Sequence, residues 1–182
     1  MAIFFTADTH FQHANIIKYC KRPFGCASDM DSLIMMNWNA TVRPEDTVYH
    51  LGDVVFYDTV AILPRLHTLA GKKYLVPGNH DKPGQLELLS EVFTILPPLV
   101  EVVAKADGHG YHLSLCHYPM ENWNRSGRGA LMLHGHTHGR LEGNTQRMDV
   151  GVDCWNFFPA RLENILLRLK TLQKYEKRER KP

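Results

Sequence analysis

Short apolar runs that end in polar, metal-friendly residues recur along this chain. Residues 2–7 (Ala-Ile-Phe-Phe-Thr-Ala) read as a first buried strand, running into Asp8-Thr9-His10. Thr47–Leu51 reads as a second strand, ending at Gly52-Asp53, and 73–77 as a third, ending at Gly78-Asn79-His80-Asp81. Between them lie helical patterns at His13–Tyr19, Ser28–Ala40 and 58–70. The second has Leu33, Met36, Met30 and Trp38 as its apolar face; the third contains Pro64 and is closed by Gly71. A short helix is predicted over Gly84–Leu89. The pattern then turns to strands, at Val92–Leu96, Leu99–Val103, Tyr111–Cys116, Leu131–His134 and Met148–Val152. A last helix over Pro159–Lys174 carries Leu162, Ile165, Leu166, Leu169 and Leu172 on one face. Alternating strands and helices followed by mostly strands predict an α/β fold of two packed sheets flanked by helices.

A chain of 182 residues is expected to form one domain, residues 1–174, with a charged tail over 175–182. Its apolar share of 44% and charged share of 22% are ordinary for a globular protein. The formal net charge of +2 gives no strong signal for nucleic acid or membrane surfaces. No apolar run reaches membrane-spanning length, and the N-terminus lacks a signal-peptide pattern. Cys20, Cys26, Cys116 and Cys154 form no CxxC pair. Reduced thiols and a cytoplasmic location are therefore expected. Histidine is abundant, with 11 copies.

Five motifs fall at strand ends or turns: Asp8-Thr9-His10, Gly52-Asp53, Gly78-Asn79-His80-Asp81, Cys116-His117 and Gly135-His136-Thr137-His138. Sites in open α/β sheets form outside the carboxyl ends of strands, so the five are expected on one rim. Carboxylate, imidazole and amide together suit borderline divalent metals such as Mn²⁺, Fe²⁺, Co²⁺, Ni²⁺ or Zn²⁺. Alternate residues on an extended segment point the same way, so the imidazoles of His136 and His138 are expected to face one site. Taken singly, each motif also reads as an ordinary turn or a structural histidine. Their joint order is the signal.

That order, D-x-H, G-D, G-N-H-D, a single His and G-H-x-H, resembles the calcineurin-like metallophosphoesterases over residues 3–153. His117-Tyr118-Pro119-Met120 and Val150-Gly151-Val152-Asp153-Cys154-Trp155-Asn156 look like the small bacterial and phage-borne members. The resemblance implies a four-layer α/β/β/α sandwich and two divalent metal ions, with Mn²⁺ favoured. Asp8, His10 and His138 would hold the first, Asn79, His117 and His136 the second, and Asp53 would bridge them. It also implies in-line attack of a metal-activated water on phosphorus, with His80 stabilising the developing charge or protonating the leaving group.

Phosphoprotein phosphatases of the family carry a second Asp where this chain has Phe56, which argues against that activity and leaves the partner of His80 open between Asp81 and Asp58. With no room for a cap domain, recognition falls to short loops. Arg125 and Arg128 are candidate phosphate contacts, Trp123 a candidate stacking platform, and Arg22 and His13 candidate rim residues. The expected activity is a phosphodiesterase on a small phosphorylated substrate, including nucleotides and cyclic nucleotides. The alternatives are a phosphomonoesterase or nucleotide phosphatase, a nuclease, and a non-catalytic scaffold.

Overall fold

Alternation along the first strand sets the architecture. In β1 (Ile3–Thr6) Phe4 faces one core and Phe5 another, as a period of two dictates. β1 pairs in parallel with β2 (Thr47–His50), β2 with β3 (Lys72–Leu75), and β3 with a two-residue β4 (Thr94–Ile95). The second sheet runs β5-β6-β7-β8, from Leu99–Ala106, His109–Cys116, Leu131–His134 and Arg147–Asp149. β5 and β6 are antiparallel, while β6, β7 and β8 are parallel. The computed structural model describes residues 1–176 of the chain.

The first core lies between the outer face of the first sheet and α1 (Ala14–Tyr19), α2 (Ala27–Thr41), α3 (Thr59–Leu66) and α4 (Pro83–Leu89), with Phe4, Trp38, Ile62 and Leu89 buried in it. The second lies between the sheets, where Phe5, Leu51 and Val76 meet Leu113, Leu115 and Leu133. α5 (Leu162–Leu169) inserts Ile165 and Leu169 there and touches β1, β8 and β9 (Ala160–Arg161). Two sheets flanked by helices are thus present, as expected for the α/β/β/α sandwich. A small cluster of Trp123, Ala130 and Met132, joined by Tyr175, forms a third apolar patch.

Several predicted elements change. Residues 160–161 open no helix: Ala160 is buried opposite Phe5, and β9 pairs antiparallel with β1. α5 is therefore shorter than the predicted 159–174. In α2 the buried stripe is Met30, Ile34 and Trp38 with Met35, while Met36 is 59% exposed; spacing of four places the stripe, and Met36 falls off it. α3 stops at Leu66. Only two residues of the predicted strand over 92–96 pair in the sheet. β5 and β6 run further than predicted because Asp107 and Gly108, with φ of 49° and 79°, make a two-residue turn. Tyr175, predicted to begin a solvated tail, packs its ring 4.9 Å from that of Trp123 and donates its hydroxyl to the carbonyl of Glu121. Residues 177–182 of that tail lie outside the described residues.

Candidate metal centre

The seven residues expected as ligands come together at the carboxyl ends of β1, β2, β3, β6 and β7. His10 Nε2 lies 3.9 Å from Asp8 Oδ1 and 3.6 Å from Asp53 Oδ2. His117 Nε2 lies 3.5 Å from Asp53 Oδ2 and 2.9 Å from Asn79 Oδ1. The His138 ring stacks on His10 at 5.3 Å between centroids, and the His136 ring stands 5.1 Å from His117. Asp53 therefore sits between two groups of imidazoles. Asp8, His10 and His138 form one set whose ligand atoms all lie within 4.8 Å of one another, and Asp8, Asp53 and His117 form a second.

The loops get there by unusual backbone. Asp8, His10, Asp53, His136 and His138 all have positive φ, between 48° and 68°, a region that side-chain-bearing residues enter at a cost. The segment from His136 to His138 is thus not extended, and its two imidazoles part: one goes toward His117, the other toward His10. Glycine is required where chains cross. A methyl group on Gly78 would overlap the Asp53 carboxylate, and one on Gly135 would overlap Asp8.

Carboxylates outside the seven expected ligands hold these loops. Asp81 accepts from the backbone N–H groups of Gly78 (2.8 Å), Asp53 (2.7 Å) and Val54 (3.0 Å), locking the second and third motifs together. Asp149, on β8, accepts from Thr137 Oγ1 and from the N–H groups of Gly139 and Gly151. Asp153 takes His138 Nδ1 at 2.7 Å and a bidentate grip from Arg22, with both contacts at 2.8 Å. Arg22 also donates to the carbonyls of Asp8 and Thr9. Cys20 lies near His138 and Asp153, but Asp153 is already committed to Arg22 and His138, so those three are a support rather than a separate site.

The electrostatics fit a cation site. Burial drives His10 far below the usual histidine range, and both of its ring nitrogens lack a hydrogen-bond partner among the described residues. An imidazole with that environment is neutral and has a lone pair to offer. His117 Nδ1 can only donate to the carbonyl of Leu51, at 2.7 Å. In the neutral ring its Nε2 lone pair then faces oxygens of Asn79 and Asp53. Convergence of three acceptors is unfavourable until a cation joins them. Burial raises the Asp8 carboxyl well above its ordinary range, against the pull of His138. Burial would lower His138, but its hydrogen bonds to Asp153 and Cys20 and the charge of Asp8 lift it to about 10. A cation on that imidazole takes the place of the proton.

The sequence matches the model of the calcineurin-like phosphoesterase superfamily domain over residues 1–156. The chain belongs to the calcineurin-like phosphoesterase superfamily. An uncharacterised protein of Methanocaldococcus jannaschii is 33% identical over 173 residues, covering 90% of this chain and 89% of the relative. The Gene 66 protein of Mycobacterium phage D29 is 29% identical over 180 residues, covering 85% and 89%. The crystal structure of a protein of unknown function from Aquifex aeolicus aligns with a TM-score of 0.70 at 27% identity, over 90% of this chain and 97% of that one. Membership makes this calcineurin-like phosphoesterase a metal-dependent hydrolase of phosphoesters, with His and Asp groups placed to hold the metal.

The remaining expected residues are placed differently. His80 stands beside the centre, its Nε2 4.0 Å from Asp53 Oδ2 and its side chain 41% exposed. Neither expected carboxylate partners its ring: Asp81 binds backbone, and Asp58 caps α3 through Ala61 N–H. The ring instead neighbours Phe56 and His10. His13 is buried, with its ring 3.6 Å from Phe56 and 5.6 Å from His10. Trp123 is no stacking platform, because it is buried and its Nε1 donates to the carbonyl of Ala130. Arg22 is not a rim residue, since its guanidinium is spent on Asp153 and backbone. Arg125 packs its guanidinium against His112 at 2.9 Å, on the β5–β6 side. Arg128 lies with it, in the 3₁₀ turn Ser126–Arg128. The exposed aromatic ring beside the centre is instead Tyr118, 4.7 Å from His136. Its position directly after His117 was the available signal.

Proposed function

We propose that this calcineurin-like phosphoesterase hydrolyses phosphodiesters at a dinuclear centre, with Asp8, His10 and His138 holding one ion, Asn79, His117 and His136 the other, and Asp53 bridging. The observation that carries the reading is Asp53 Oδ2, set between His10 Nε2 and His117 Nε2 at 3.6 and 3.5 Å. Two divalent cations held by these residues, Mn²⁺ among the candidates, would supply positive charge for the phosphate oxygens and lower the pKa of a water for in-line attack. The protein does the rest. Asp53 would place one negative charge between the two cations. The backbone N–H of His80 donates to Asp53 Oδ1 at 2.9 Å, which fixes the carboxylate plane. Asp153 and the carbonyl of Leu51 orient His138 and His117. His80, exposed and with its Nε2 4.0 Å from Asp53 Oδ2, is positioned to donate to the departing oxygen.

A diester is favoured over a monoester by charge. Arg22 is buried in its own ion pair, Arg125 faces His112, and the Lys82 ammonium donates to the carbonyl of Asn79 at 2.6 Å. None of these cations is directed at a second phosphate charge. Tyr118 offers a face to a flat leaving group, which supports nucleotide-like diesters. No helix among the described residues is long and apolar enough to cross a membrane.

Hydrolysis of bis-p-nitrophenyl phosphate and p-nitrophenyl phosphate, with Mn²⁺ and with chelator, tests the reading. The expected result is Mn²⁺-dependent turnover of the diester above the monoester. Asp53→Ala should lose activity about a thousandfold or more, and His80→Ala about a hundredfold with metal content retained. Faster monoester turnover would overturn the diester assignment, and a fully active His80→Ala would remove its proposed role.

A further inference from the structure

The edge of the second sheet is long and regular, and of its outward side chains the Glu101 carboxylate accepts from Asn124 Nδ2 at 3.0 Å. β5 pairs with β6 through eight consecutive residues without a bulge, from Leu99↔Cys116 to Ala106↔His109. The two-residue turn makes Ala106 and His109 the hydrogen-bonded closing pair, and the bonding of an antiparallel ladder alternates from there. Residues 100, 102, 104 and 106 therefore bond to β6. The N–H and C=O groups of Leu99, Glu101, Val103 and Lys105 point away from the sheet. Among the described residues, no backbone hydrogen bond outside the ladder engages them. Their side chains are exposed as well, Leu99 by 48% and Val103 by 60%.

Edge strands are ordinarily guarded by proline, a bulge or repelling charge. β5 has neither of the first two, and its charges match each other. Glu101 and Lys105 lie equally far from Val103 on the same outward face.

We infer that β5 is the interface of a two-fold dimer, in which the β5 strands of two copies pair antiparallel about Val103 and join the second sheets into one. In that register Val103 meets Val103 of the second copy as a hydrogen-bonded pair. Glu101 lies opposite Lys105 on both sides of the axis, and the outward N–H and C=O groups find partners. Any other two-fold register that keeps these residues bonded moves Glu101 off Lys105. This self-complementarity favours a second copy over an extended segment of another protein.

Sedimentation velocity across protein concentration is the test. The wild-type chain is expected to dimerise. Glu101→Lys and Lys105→Glu each place like charges opposite one another twice, and each should raise the dimer dissociation constant about tenfold. The double variant restores opposite charges and should recover the wild-type constant. Val103→Pro, which removes an N–H on the axis at an edge position where proline is tolerated, should be monomeric with an unchanged melting temperature. Diester hydrolysis per chain should persist in all of them. A wild-type monomer at ~100 μM, or a dimer indifferent to Glu101→Lys and Val103→Pro, overturns the inference. So does loss of the dimer in both single variants without recovery in the double.

Discussion

His136 shows what the metal centre demands of single residues. Its φ is 68° and its side chain is exposed, so truncating it opens no cavity. Removing the imidazole by alanine or by glycine should abolish metal-dependent activity equally, yet the two variants should differ in stability. At an ordinary position glycine is the weaker choice by about 0.5–1 kcal/mol. Here the order should reverse, with His136→Gly about 1 kcal/mol more stable than His136→Ala in urea denaturation of metal-free protein. An alanine variant equal to or better than glycine would show that the turn carries no such cost. At this scale the sequence was legible where chemistry is written in residue identity. The seven converging residues are all Asp, Asn or His drawn from the five motifs. It was illegible where direction decides. Arg22 and Trp123 look like substrate contacts on paper, but one turns inward to Asp153 and the other to the carbonyl of Ala130. Asp81, Asp149 and Asp153 each also reach a group far away in sequence, Asp53 N–H, Thr137 Oγ1 and the Arg22 guanidinium respectively, and no local spacing announces those contacts.

Among the elements, β2 carries an acid-sensitive residue into the core. His50 is buried, and its Nε2 lies 3.0 Å from Thr9 Oγ1. The Thr9 hydroxyl donates its proton to the carbonyl of Val54, so His50 must be the donor and its Nδ1 is left bare. Burial pushes the ring down to about 3, with His117 adding to the effect. A folded value below the unfolded one of about 6.5 means that the unfolded chain binds the proton first. Stability from neutral His50 is complete above about pH 6.5 and is lost as pH falls toward 3. His50→Gln keeps a donor near Nε2 and cannot titrate. Its urea midpoint should fall less steeply than the wild type's between pH 6.5 and 4, and parallel curves would clear His50. Elements themselves were legible where periodicity is strong, as in α2 and β1. They failed where pairing partners decide. Ala160 and Arg161 read as the start of a helix, but the open edge of β1 takes them as a strand.

For the whole molecule, the centre draws its candidate ligands from both sheets, beside the Ala7–Gly151 bridge that also joins them. Asp8, His10, Asp53 and Asn79 follow strands of the first sheet, while His117, His136 and His138 follow strands of the second. Ions bound by both sets add their binding free energy to the folded state alone. Saturating Mn²⁺ should raise the melting temperature by several degrees and chelator should reverse it. The gain should be lost in Asp53→Ala, and a chelator-insensitive melting curve would contradict a centre that spans the sheets. That the two sheets meet at this rim was readable from the order of the motifs. That the core between them is closed by α5 was not, since its apolar stripe fits either face of the sandwich.

The pairing of β9 with β1 has a consequence for synthesis on the ribosome. The antiparallel neighbour of the first strand, Ala160–Arg161, comes more than 150 residues after it. At about 5–20 residues per second, the flank of Phe4 and Phe5 waits on the order of ten seconds for its partner. The nascent chain must therefore be shielded, or stay soluble, while the residues between β1 and β9 are made.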